Sequence, residues 1–297
     1  MHYILSHWSF DPFVLVVLAL VAFHELGLAH LAARGRPERC RARRRRSLLF
    51  YAGLGVLLLA VTSPIDYWSN DYFFVHMVEH LLIMFVAPTL VVAGAPWLPL
   101  LHALPVAPRR RVLRAVVLGG WSAPLRALGR FLISPWVAVV LFNATMIFWH
   151  ITPMFDLAYR DGLVHIWLMH GSFFVVGLLF WAQFIDSYPI RTRMAPGARI
   201  SALLATNVVM WFLAMAMSIF TNSSWYPVYS HLPGVTLSPF ASQQIGAAIL
   251  WICGDFWATP ALTRVIRQMI DDEGGLGAAF DRMLHRDRVP TLEDVAS

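Results

Sequence analysis

His76 and His80 stand four residues apart in an apolar stretch, with Glu79 between them. On a helix this spacing stacks the two imidazoles on one face, within reach of a shared metal ion. Glu79 adjoins that face, where a carboxylate can orient an imidazole, share a proton or ligate a harder ion. Met84 continues the stripe one turn deeper, and Met146 with His150 and His165 with Met169 repeat the four-residue spacing in two further apolar stretches. Imidazole combined with thioether suits copper, because soft sulfur favours Cu(I) and imidazole accepts either oxidation state. His170 follows His165 by five residues, which on an α-helix separates their faces by about 140°. Gln243 and Gln244 add polar groups to the last apolar stretch.

Other chemistry fits the same residues. Histidines facing each other from different helices can hold haem, which would make the chain an electron-transfer membrane subunit. Residues 76–80 also spell H-x-x-E-H, the inverted signature of zinc peptidases, with Glu79 as general base. A peptidase would further need a third ligand and a watery cleft. The plain alternative is that membrane histidines serve as interhelical hydrogen-bond glue and methionines fill the core. His24 with Glu25 reads as a buried pair or proton site, and His102, His231 and His285 read as loop residues.

The elements that must position these residues are membrane helices. Of 297 residues 58% are hydrophobic and 13% charged, with a mean hydropathy of +0.61, values foreign to a water-soluble globule. Apolar stretches at 12–33, 47–64, 72–93, 135–152, 162–185, 200–220 and 239–260 meet or approach the roughly 20 residues that a bilayer core requires. The expectation is an all-α integral membrane protein, a seven-transmembrane bundle over residues 1–262 with a tail from 263 to 297. All 23 basic residues are arginine, so chemistry needing a lysine, a retinal Schiff base included, is excluded. Of these arginines 22 lie in 34–46, 102–134, 187–199 and the tail. The positive-inside rule makes those segments cytoplasmic, the N-terminus an uncleaved outside end, and the histidine pairs residents of the outer half. The net charge of +6 is then topological and calls for no nucleic acid. Cys40 and Cys253 are too few and too separated for a disulfide framework or a thiolate site.

His76-Met77-Val78-Glu79-His80-Leu81-Leu82, with Ala87-Pro88 and Gly94-Ala95-Pro96, resembles the multi-span CtaG family of cytochrome c oxidase assembly factors. Trp149-His150-Ile151-Thr152-Pro153, His165 to His170, Gly177 to Trp181, Ser242-Gln243-Gln244-Ile245-Gly246 and Gly254-Asp255 agree in order. The resemblance covers nearly all of residues 10–262. It implies a non-enzymatic, multi-pass protein of the bacterial plasma membrane that matures a haem-copper oxidase, through copper delivery to, or metal-centre assembly in, its subunits. Oxidase subunits, other copper chaperones and the lipid bilayer are the implied partners. His76, His80, His150 and His170 carry over as metal-handling positions, with Gln243 and Gln244 as polar neighbours. Ser242 departs from the acidic residue common in relatives.

Overall fold

The computed structural model describes residues 6–33, 35, 37–230 and 235–273; His231, His285 and the tail beyond 273 lie outside them. The described residues are helical apart from loops and one isolated bridge between Ser187 and Ile190. Five helices are long and apolar enough to cross a membrane: α1 (Phe13–Ala32), α2 (Pro37–Thr62), α4 (Phe73–Gly94), α10 (Val164–Trp181) and α11 (Pro196–Ser218). A sixth span arises if α7 (Ala123–Leu132) and α8 (Pro135–His150), bent by 74° at their junction, are taken together. The seventh expected stretch forms α12 (Pro239–Phe256), whose run Ser242-Gln243-Gln244 dilutes its hydropathy. Large apolar side chains such as Leu18, Leu26, Val140, Leu168 and Phe212 point outward, as lipid contact requires.

Two boundaries differ from the expected spans. Helix α2 starts at Pro37 rather than near 47, so the arginine run Arg43 to Arg46 is helical. Helix α13 (Thr259–Glu273) crosses the expected domain boundary at 262. Its residues Ala261 and Val265 are buried, and Gln268 accepts a hydrogen bond from Arg199 of α11 at 3.2 Å. The first residues of the expected tail therefore belong to the bundle.

Prolines mark the helix starts. Pro64 opens the short α3 (Pro64–Ser69), Pro135 opens α8, Pro153 sits in the first turn of α9 (Thr152–Arg160), and Pro196 and Pro239 open α11 and α12; a residue without N–H loses nothing there. The connection between α4 and α8 forms α5 (Trp97–His102), α6 (Val106–Leu118) and α7, of which α6 and α7 bury no residue.

Pro88 lies inside α4, where its ring clashes with the carbonyl four residues earlier. The helix answers with a π-turn over Leu82–Val86 just before it, closed by Ala87 N–H donating to Leu82 C=O. Close approach between helices rests on small residues. A Cβ at Gly53 would meet the Ala87 carbonyl oxygen and Val91 Cγ2, each at 2.8 Å, which lets α2 lie directly on α4. Gly246 does the same for α12 against Phe73 and Met77, at 2.8 and 3.0 Å.

Candidate metal centre

Three helices bring the histidines together. His76, Glu79 and His80 project from α4, His150 ends α8, and His165 and His170 come from α10. His76, Glu79, His80, His150 and His170 are buried, Glu79 completely, and His165 partly. The rings of His76 and His80 lie 4.0 Å apart, as their four-residue spacing requires. His165 stacks on His76 at 5.5 Å, and His80 faces His170 at 6.0 Å and His150 at 6.1 Å. One ligand atom from each of His76, Glu79 and His165 falls within 4.8 Å of the other two. Glu79 sits between helices, 3.8 Å from His76 Nδ1 and 3.5 Å from His170 Nε2.

The expected separation of His165 from His170 is corrected by local structure. Residues Val164–His170 are wound as a π-helix, in which five residues make about one turn. The rings therefore meet at 4.4 Å on one face. Asp161 caps this wide turn, accepting from Leu163 N–H at 2.9 Å and Val164 N–H at 3.2 Å.

The donor atoms are unspent. His80 and His170 have no hydrogen-bond partner on either nitrogen, and neither do His76 Nε2, His165 Nε2 or the two Glu79 oxygens. Such atoms cost about 1–3 kcal/mol each when buried without a partner. Histidines in the opposite half behave differently. His24 Nδ1 lies 2.8 Å from the Tyr51 hydroxyl, which donates onward to Glu25, and His30 and His102 donate to the carbonyls of His102 and Leu98 at 2.8 and 2.9 Å. Each of those rings spends its Nδ1 on a partner, although His24 Nε2 is unpartnered as well, whereas His80 and His170 spend neither nitrogen. Imidazole nitrogens with one carboxylate are a donor set that suits a transition-metal ion.

The remaining expected residues fall in different places. Met146 and Met169 are buried, but the thioether that meets a histidine belongs to Met77, whose Sδ lies 3.4 Å from His150 Nε2. Met146 contributes its carbonyl, which accepts from His150 Nδ1 at 2.6 Å. Gln243 accepts from Trp225 N–H at 2.6 Å and donates to the Met217 carbonyl at 2.7 Å, so it holds the loop after α11 rather than an ion. Gln244 is exposed on the outside of α12. Ser242 accepts from Phe74 N–H at 3.4 Å, at the first turn of the histidine-bearing α4.

That loop supplies what the sequence did not reveal. Tyr226, fully buried, stacks on Phe73 at 4.6 Å and packs on Phe155 at 4.2 Å. Phe155 in turn covers His76 at 5.0 Å, and the Tyr226 hydroxyl donates to the His150 carbonyl at 3.1 Å. The aromatics close this side of the cluster to water. The same end of the bundle carries Asp11, Asp66, Asp71, Asp156 and Asp161 against a single Arg160. Burial pushes the Asp66 carboxyl above its ordinary range, partly offset by the Ser9 hydroxyl that donates to it at 2.7 Å. At the other end a cavity of about 610 Å³ is lined by Arg39, Arg43, Arg109, His30 and His102.

Residues 12–272 match the family described as cytochrome c oxidase caa3 assembly factor (Caa3_CtaG). The chain belongs to this family. All five clustered histidines, Glu79 and Tyr226 lie within the matched residues. Among curated proteins, uncharacterized proteins of Mycobacterium bovis and Mycobacterium tuberculosis are each 27% identical over 282 residues, covering 94% of this chain and 42% of their own. An uncharacterized protein of Mycobacterium leprae is 28% identical over 261 residues, 84% of this chain and 38% of its own. The chain thus spans about two fifths of the length of these relatives. No solved structure matches.

Proposed function

We propose that this member of the caa3 oxidase assembly-factor family holds a copper ion in the cluster of His76, Glu79, His80, His165 and His170 and hands it to a subunit of a haem-copper oxidase. The observation that carries this reading is the set of eight buried nitrogen and oxygen atoms, from the two helices α4 and α10, that converge without hydrogen-bond partners. Copper is the cargo here rather than a resident cofactor, and no reaction is catalysed. Glu79 supplies the negative charge that a buried cation needs. The imidazoles supply neutral ligands that accept copper in either oxidation state. Phe73, Phe155 and Tyr226 exclude water on one side.

The arginine distribution supports seven spans in a bacterial plasma membrane, with the N-terminus and the cluster towards the outside and the C-terminus in the cytoplasm. The aspartates at the histidine end favour cations near the cluster. Other copper chaperones are the natural donors. The 4.0 Å between the His76 and His80 rings suits a shared ion and is too short for the two to ligate one haem iron from opposite faces. A fully buried Glu79 under an aromatic cover leaves no cleft for a peptide.

The test is maturation in cells. A host lacking its own copy of the factor, complemented with His76→Ala or His80→Ala, should contain normal amounts of the variant protein yet little active oxidase. Full oxidase activity in both variants would defeat the reading.

A further inference from the structure

His150 donates its Nδ1 proton to the Met146 carbonyl at 2.6 Å, because a carbonyl oxygen can only accept. In the neutral ring this leaves Nε2 with a lone pair and no hydrogen. A buried imidazolium would need a carboxylate beside it, and the Glu79 carboxylate is instead placed against His76 and His170. Yet Nε2 points at Met77 Sδ from 3.4 Å, and a thioether has no hydrogen either. Two lone pairs thus face each other in a site with no water-exposed side: Met77 is 1% exposed and His150 4%.

We propose that Met77 and His150 form a second, sulfur-containing station selective for Cu(I), with His80 as the ligand shared with the Glu79 end. With metal–nitrogen and metal–sulfur bonds of about 2.0 and 2.3 Å, a 3.4 Å separation subtends about 105° at the ion, near the tetrahedral angle. His80 stands three residues after Met77 on α4, one helical turn on the same face. Its ring lies 6.1 Å from His150 on one side and 4.0 Å from His76 on the other, with both nitrogens unspent. The cluster is therefore graded. One end offers imidazole and carboxylate, which hold Cu(II) well; the other offers imidazole and thioether, which favour Cu(I). Gly246 of α12 fixes the soft end, since a Cβ there would press on Met77 Cγ at 3.0 Å and on Phe73. The proposal rests on the copper-handling reading above and adds a ligand, an oxidation-state preference and a direction along α4.

The test uses the whole protein in detergent, loaded anaerobically with Cu(I) under a competing chelator and, separately, with Cu(II), and examined by X-ray absorption at the copper edge. The Cu(I) form should show a sulfur neighbour at about 2.3 Å. Met77→Leu keeps the volume, so the fold should persist, as a thermal unfolding curve will verify. In that variant the sulfur neighbour should vanish and Cu(I) affinity should fall at least about tenfold, while Cu(II) affinity should stay within about twofold. Copper bound through nitrogen and oxygen alone, or a sulfur signal that survives in Met77→Leu, overturns the second station and leaves the copper-handling reading intact. Failure of the wild type to bind copper in either oxidation state overturns both.

Discussion

Replacing Glu79 by glutamine separates a metal site from structural glue, because the two readings predict opposite signs. Glu79 is fully buried, its oxygens lack hydrogen-bond partners of ordinary geometry, and imidazoles stand 3.5 and 3.8 Å from them. Without an ion a buried carboxylate is a burden, so the neutral isostere should leave the metal-free protein as stable or raise its stability by about 1–3 kcal/mol. With an ion the same change removes its charge partner. One unit charge about 4 Å from another is worth about 4 kcal/mol at an effective dielectric of 20, close to a thousandfold in affinity. The assay is thermal unfolding in detergent with chelator and with copper, alongside competitive copper titration. Wild type should gain stability on loading, as mass action requires, and Glu79→Gln should gain little. A variant that is less stable without metal and binds copper like the wild type would refute the reasoning, since Glu79 would then be serving as a hydrogen-bonded core residue.

Three further outcomes follow from other parts of the molecule. Reporter fusions at residues 41 and 191 should read as cytoplasmic and those at 68 and 156 as external, as the proposed topology requires with 22 of 23 arginines in the segments it assigns to the cytoplasm; the reverse pattern would move the cluster to the inner face. Burial raises the Asp186 carboxyl, but hydrogen bonds from Thr192 N–H and hydroxyl and the charges of Arg199 and Arg264 outweigh it and hold its pKa below the ordinary 3.8. Its stabilisation is therefore complete above that value and is lost as pH falls through the lower folded one, so Asp186→Asn should lose less stability than wild type on acidification below about pH 4; an unchanged acid slope would contradict this. Gly53→Ala puts a Cβ 2.8 Å from the Ala87 carbonyl oxygen, and unfolding should begin at lower temperature by an amount equivalent to about 1–3 kcal/mol.

Much of this site was legible from spacing alone. The i, i+4 relation of His76 and His80 survives because that stretch of α4 is regular α-helix, and the order of apolar stretches anticipated every membrane-length helix of the structure. His165 and His170 resisted the same arithmetic. Their five-residue spacing points apart on an α-helix and together only once Val164–His170 widens into a π-turn, which depends on tertiary packing rather than composition. Tyr226 lay in a loop, where no periodicity announces burial, although its Gln243 tether sits within a motif already singled out. Gln244 shows the converse: adjacent to Gln243 in sequence, it is exposed on α12 where Gln243 is buried. Met77, between His76 and Glu79, is not marked by four-residue spacing within a helix, because its partner, His150, comes from another helix.

The most direct test of the central claim is the copper content of the purified protein. After loading and removal of free metal, the wild type should retain about one copper per chain, His80→Ala less than about a tenth of that, and His30→Ala the wild-type amount, because His30 is already spent on the His102 carbonyl. Equal copper in wild type and His80→Ala, with both proteins folded, would contradict the account and return the histidines of α4 to the role of interhelical contacts.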